Sequence, residues 1–281
     1  MAEKKNQKHF VLVHGLCHGA WCWYKLQPLL ESTGHRVTAL DLTTSGINMK
    51  AIQDVQTFHE YTKPLLEILA SLPPDEKVIV VGHSLGGMNL ALAMDEFPNK
   101  ISVGVFLTAF MPDTLHQPSY VLEKYLGGVT EELLKDAQLV NIGSLQIPFT
   151  ITVMGPKFLS SKLYHLSSVE IYIRHKSCHV YALLRDLELA KALIRPGSLF
   201  TEDLSKGKNF SGEGFGTVTR VYVVCNEDNV MVEEFQRWMI QNNPPKDVLE
   251  IKTADHMPMF SKTQEVCDCL LEIANKYSQG N

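Results

Sequence analysis

Ser84 stands in the run Gly82-His83-Ser84-Leu85-Gly86, between a β-branched stretch (VIVV) and a helical one (GGMNLALAM). A G-x-S-x-G pattern at a strand-to-helix turn forces the serine into a strained bend and lifts its hydroxyl clear of the sheet. The glycines flanking it let neighbouring backbone approach closely. A serine hydroxyl is a weak nucleophile at neutral pH, so it needs a base, and the base needs an acid to orient it. His256, in TADHMPM, is the last histidine of the chain and follows the last expected strand, where the base should be. The acid should follow the preceding strand, and VYVVCNEDN offers Glu227 and Asp228. Asp228 is favoured, Glu227 is chemically equivalent, and Asp255 adjoins His256 too closely in sequence to face it readily.

The tetrahedral intermediate of acyl transfer also needs hydrogen-bond donors. One is expected from the N–H of Leu85, the residue after the serine. The other is expected from the loop VHGLCHGAW, at the N–H of Leu16. Gly15 would let the backbone come close to the substrate oxygen. His14 and His18 lie in the same loop and could touch substrate, although bonding to loop backbone is the plainer role. His83 is expected beneath the turn, and Trp21 and Trp23 on a core-facing helix.

These residues need a scaffold, and the hydrophobic pattern supplies one. HFVLVHG, RVTALDL, KVIVVG and ISVGVFLTAF read as buried strands alternating with the helical stretches WCWYKLQPLLESTGH, FHEYTKPLLEILASL and GGMNLALAMDEF. The alternation resumes with RVYVVC, EEFQRWMIQN, VLEIKTAD and TQEVCDCLLEIANKY. Such a pattern predicts a mostly parallel α/β sheet covered by helices on both faces. Between Pro112 and about Gly216 it breaks down, with YVLEKYL, TEELLKDAQL and DLELAKALI as helix candidates. The expected division is a core over 1–111, an inserted helical cap over 112–216 and the rest of the core over 217–281.

The 281 residues carry a net charge of -5 and are 45% hydrophobic, which suits one such unit. No basic block suggests nucleic acid, and no apolar run is long enough to span a membrane. The N-terminus lacks an apolar leader pattern, and the six cysteines show no paired spacing, so free thiols and a cytoplasmic location are expected.

With these residues placed, the chain resembles the plant methylesterase and hydroxynitrile lyase family of α/β-hydrolases. HFVLVHG, CHGAW, VGHSLGGM, FMPD, RPGSLF, EEFQRW and ADHM carry the likeness over nearly the whole length. The resemblance implies the α/β-hydrolase fold, a triad of Ser84, Asp228 and His256, and no metal or organic cofactor. Lyase members of the family carry threonine in the first loop and lysine after the histidine. Gly15 and Met257 stand at those places here, as in the esterase branch, and the resemblance implies that both border the substrate pocket. The implied reaction is hydrolysis of a small methyl ester: methyl salicylate, methyl jasmonate, methyl indole-3-acetate or an alkaloid methyl ester. Pairing of two copies through the cap is also implied. A hydroxynitrile lyase, or a non-catalytic small-molecule-binding protein on the same scaffold, is the alternative.

Two departures from the family concern the cap. The segment Ile171–Arg185 stands between SSVE and DLELAK, which family members join directly. Its His175, Cys178 and His179 lack the further ligand that a metal site would need. Leu134 and Leu139 occupy places where salicylate-selective members carry aromatic residues, which predicts an aliphatic pocket wall.

Overall fold

The computed structural model describes residues 7–143, 149–167, 170–172, 181–183 and 185–277. His175, Cys178, His179 and most of the extra segment lie outside the described residues.

Six strands form one sheet: β1 His9–Val13, β2 Arg36–Leu40, β3 Val78–Ser84, β4 Ile101–Ala109, β9 Arg220–Cys225 and β10 Asp247–Ile251, in the order β10-β9-β4-β3-β1-β2. Every neighbouring pair is parallel. The two-residue period of a strand sends alternate side chains to opposite faces. Val11, Val13, Val80, Phe106, Tyr222 and Val224 therefore meet one set of helices, including α2 (Phe58–Ser71) and α3 (Gly86–Glu96). Phe10, Leu12, Ile79, Val81, Leu107 and Val223 meet the other, including α1 (Leu26–Ser32) and the closing helix Thr263–Tyr277. Because both faces are covered, β3 is buried at every position, and each of its fully buried valines contributes roughly 1.5–3 kcal/mol.

α2 starts at Thr57, whose side chain accepts from the N–H of Glu60 and satisfies one of the helix's unpaired donors. The first three strands leave the sheet in an informative order. β1 lies between β2 and β3, so the chain turns to opposite sides after β1 and after β3. Sheets of this kind open a crevice at the carboxyl ends of such strands. The loop after β1 and the turn after β3 both border it.

Among the described residues between β4 and β9, no strand joins the main sheet. This region contains helices at Tyr120–Leu126, Glu131–Leu134, Arg185–Leu193 and Thr201–Leu204. It also contains two antiparallel hairpins, β5 (Gln138–Asn141) with β6 (Thr150–Val153), and β7 (Glu170–Tyr172) with β8 (Tyr181–Leu183). The region is thus less helical than expected. TEELLKDAQL stops being helix after Leu134 because Lys135 takes a left-handed φ of 54°. The Asp136 carboxylate then accepts from the N–H groups of Lys157 and Phe158, and the chain turns into β5.

Among the described residues no helix is long and apolar enough to cross a membrane.

Candidate active site

Ser84 ends β3 with a φ of 54°, a left-handed conformation that costs a non-glycine residue energy and marks a strained site. Close packing around the turn holds it there. A β-carbon at Gly86 would lie 2.7 Å from the Val13 carbonyl oxygen, and one at Gly15 would lie 2.8 Å from the Ser84 Cβ. Only glycine lets the loop after β1, the turn and the start of α3 approach so closely. Gly15 thus makes room for the serine itself.

His256 reaches Ser84 from the loop after β10. Its Nε2 is 3.1 Å from Ser84 Oγ, and its Nδ1 is 2.6 Å from Asp228 Oδ2. A carboxylate only accepts, so Nδ1 carries the proton and the Nε2 lone pair faces the serine. Asp228 is held by every lone pair it can spare. Its Oδ1 accepts from the N–H groups of Val230 and Met231 at 2.7 and 2.8 Å. Its Oδ2 also accepts from the Thr108 hydroxyl at 2.6 Å. In the sequence Thr108 looks like one more β-branched strand residue, and nothing there marks this role.

The other acids fall elsewhere. Glu227 is exposed, and among the described residues only its main-chain N–H is engaged, with the Ala254 carbonyl. Asp255 is buried, and among the described residues it bonds neither Ser84 nor the His256 ring. It accepts from the N–H groups of Leu166 and Met257 and from the Ser261 hydroxyl, so it ties the His256 loop to the region above.

The N–H groups of Leu16 and Leu85 have no acceptor among the described residues. Leu85 immediately precedes α3, whose N-terminus adds partial positive charge at the point where an oxyanion would form.

The loop histidines are spent on structure. His14 donates from Nδ1 to the Gly15 carbonyl and accepts at Nε2 from the Leu42 N–H. His18 donates from Nδ1 to the Leu16 carbonyl and accepts at Nε2 from the Tyr164 hydroxyl. Burial lowers both to about 4, so both stay neutral near pH 7. His83 lies beneath the turn, its Nε2–H donating to the His256 carbonyl at 2.7 Å. Trp23 is fully buried, whereas Trp21 is partly buried and stacks on His18.

Ser84 and His256 open onto a cavity of about 210 Å³. Gly15, Leu16, His18, Leu134 and Leu139 all line it, beside Phe110, Met154 and Phe235. His18 offers substrate only its ring, because both nitrogens are taken. Met257 lies elsewhere than the resemblance implies. It does not line the cavity but is fully buried in the core cluster with Trp23, Met259 and Phe260, since the loop turns its side chain inward just after His256. Any difference in chemistry tied to that position cannot come from contact between the methionine and substrate.

The chain matches the model of the alpha/beta hydrolase family over residues 10–268. It is 53% identical to salicylic acid-binding protein 2 of Nicotiana tabacum over 98% of this chain and 100% of that protein. It is 50% identical to methylesterase 3 of Arabidopsis thaliana, over 99% and 100% of the two chains. The crystal structure of polyneuridine aldehyde esterase superposes with a TM-score of 0.87 at 49% identity, covering 95% of this chain and 99% of that one. The protein therefore belongs to the alpha/beta hydrolase family, in its plant methylesterase branch.

Proposed function

We propose that this protein is a serine carboxylesterase that hydrolyses the methyl ester of a small, largely apolar plant acid. The observation that carries this is the hydrogen-bonded line from Ser84 through His256 to Asp228, opening onto an apolar cavity. Ser84 Oγ attacks the ester carbonyl while His256 Nε2 takes its proton. Asp228 holds the imidazole tautomer and stabilises the imidazolium. The N–H groups of Leu85 and Leu16 receive the oxyanion, each contributing about 3 kcal/mol in the transition state. His256 then protonates the departing methoxide, and methanol leaves. A water activated by the same histidine attacks the acyl-serine and releases the acid. No step calls for a metal or an organic cofactor.

The names of the relatives support a methyl ester, and that of polyneuridine aldehyde esterase keeps alkaloid esters in view. The leucines at 134 and 139 favour aliphatic or alicyclic acids over a salicylate-type ring. A second reading, binding without turnover, draws support from the name of the tobacco relative. Against it stands the hydrogen-bonded line from Ser84 through His256 to Asp228, which binding alone does not need.

We read 112–216 as a cap over the core. Pairing of two copies through it is supported by Ile142 and Val153, which are exposed on the β5–β6 hairpin. Cytoplasmic residence is supported by the free thiols of Cys17, Cys22, Cys225, Cys267 and Cys269.

The test is a panel of methyl salicylate, methyl jasmonate, methyl indole-3-acetate and an alkaloid methyl ester. Methanol release from at least one, absent in Ser84→Ala, is expected. Cyanide release from mandelonitrile without ester turnover would instead make the protein a lyase.

A further inference from the structure

Away from the reacting groups, the cavity wall is almost wholly apolar, and its few polar side chains differ in what they can offer. His18 has both ring nitrogens engaged. The Tyr125 hydroxyl donates to the Val230 carbonyl at 3.2 Å. Lys124 and Asn229 are exposed. Thr152 is different. It is 7% exposed, it lines the cavity, and among the described residues its hydroxyl has no hydrogen-bond partner.

The position of Thr152 is firmly set. Its N–H donates to the Gly197 carbonyl at 2.6 Å and its carbonyl accepts from the Gly197 N–H at 3.1 Å. It lies on β6 directly opposite Leu139 of β5, and Leu139 also lines the cavity. Met154, two residues on, shares that face by the strand period and lines the cavity too. Thr152 is therefore the polar member of an otherwise apolar face, and its β-branched side chain has little rotamer freedom. A ligand that fills the cavity with hydrocarbon alone would seal this hydroxyl from water without giving it a partner, which is costly.

We propose that the Thr152 hydroxyl is a specificity determinant, recognising an oxygen on the acyl part of the substrate. The preferred substrate class is the methyl ester of an oxo- or hydroxy-substituted acid whose body is otherwise hydrocarbon. The ester carbonyl sits at Ser84, and the second oxygen meets the wall at β6. This rests on the methylesterase reading and goes beyond it. A second carboxylate is disfavoured, because Thr152 offers a neutral hydroxyl in an apolar wall and the lysine at the cavity is exposed. One neutral hydrogen bond of this kind discriminates by about threefold to tenfold.

The test compares linear methyl esters of one chain length, unsubstituted or with a ketone moved stepwise outward from the ester. Wild-type protein and Thr152→Val, which keeps the branched shape, are assayed for methanol release. The expected result is a preference in kcat/KM of about threefold to tenfold for one ketone position over the unsubstituted ester. That ratio should collapse in Thr152→Val and persist in Thr152→Ser. No preference at any position, or the same preference in Thr152→Val, would overturn the proposal. If neither protein hydrolyses any ester, the methylesterase reading fails separately. Calorimetric binding of the matched oxo and plain acids to Ser84→Ala, with and without Thr152→Val, then decides the proposal on the same ratio.

Discussion

His83 and His256 are coupled through ring and backbone: the Nε2–H of His83 donates to the His256 carbonyl at 2.7 Å, and the two rings lie 4.9 Å apart. Burial, and then the neighbouring His256, hold the His83 ring well below its ordinary value, so it stays neutral and keeps its proton on Nε2. The residue before the nucleophile thus fixes the backbone of the base. Replacing His83 by Phe removes the donor. A fall in kcat of about tenfold is expected, with KM little changed and partial rescue by Gln. Unchanged kcat in steady-state assays would show that this bond does not position the base.

The Asp228 carboxylate makes a similar case for Thr108. Thr108→Val removes a charge-assisted bond of 2.6 Å and should cost about 1.5–3 kcal/mol of stability in urea unfolding. Asp228→Asn should be far more damaging to turnover, by about 10⁴ in kcat, because the wrong imidazole tautomer then faces Ser84. Comparable losses from both substitutions would mean that Asp228 serves only to hold the loop.

Both losses concern a network only half legible in the sequence. G-x-S-x-G, the strand runs and the places for an acid and a histidine after the later strands could be read because local pattern determines them, whereas only the family resemblance separated Asp228 from Glu227. A buried parallel strand needs an unbroken apolar run, and the turn needs small residues. Thr108 could not be read, since its partner lies 120 positions away and nothing in VFLTAF distinguishes it from other strand threonines. The β5–β6 hairpin is illegible in the sequence for another reason. Gln138–Asn141 and Thr150–Val153 are short and partly exposed, so no alternation builds up over them. The family resemblance puts Met257 at the pocket, but neighbours in a loop point in different directions, and this side chain turns into the core.

That misreading is itself testable. Met257→Leu should leave the KM for every active ester unchanged, because the side chain touches core and not cavity. Met257→Ala should lower stability by about 2–5 kcal/mol in chemical denaturation. A change in substrate preference in Met257→Leu would return this position to the pocket.

Gly15→Ala separates packing at the turn from packing of the whole fold. A β-carbon there would lie 2.8 Å from the Ser84 Cβ and 3.0 Å from His83 Nδ1, so the nucleophile must shift. A displacement of that kind is expected to lower kcat by about 10²-fold. The melting temperature should fall less than in Gly86→Ala, where the new carbon meets the backbone oxygens of Val13 and His14. Full activity in Gly15→Ala would show that the loop has room to give.

The buried histidines predict how acid acts on the fold. His14 and His18 are lowered from 6.5 to about 4 by burial. The unfolded chain therefore binds protons that the folded protein refuses, and stability rises with pH between those values. Their contribution is complete above pH 6.5 and is lost as pH falls toward 4. Urea midpoints measured across that window should fall with acidification, and a flat profile would contradict this account.

Ser84 is the nucleophile on which the whole proposed reaction depends. Wild-type protein treated with an alkyl organophosphonate and digested should carry the phosphonyl group on the peptide containing Ser84, with activity lost in proportion to labelling. Labelling elsewhere, or full inactivation with Ser84 unmodified, would contradict it.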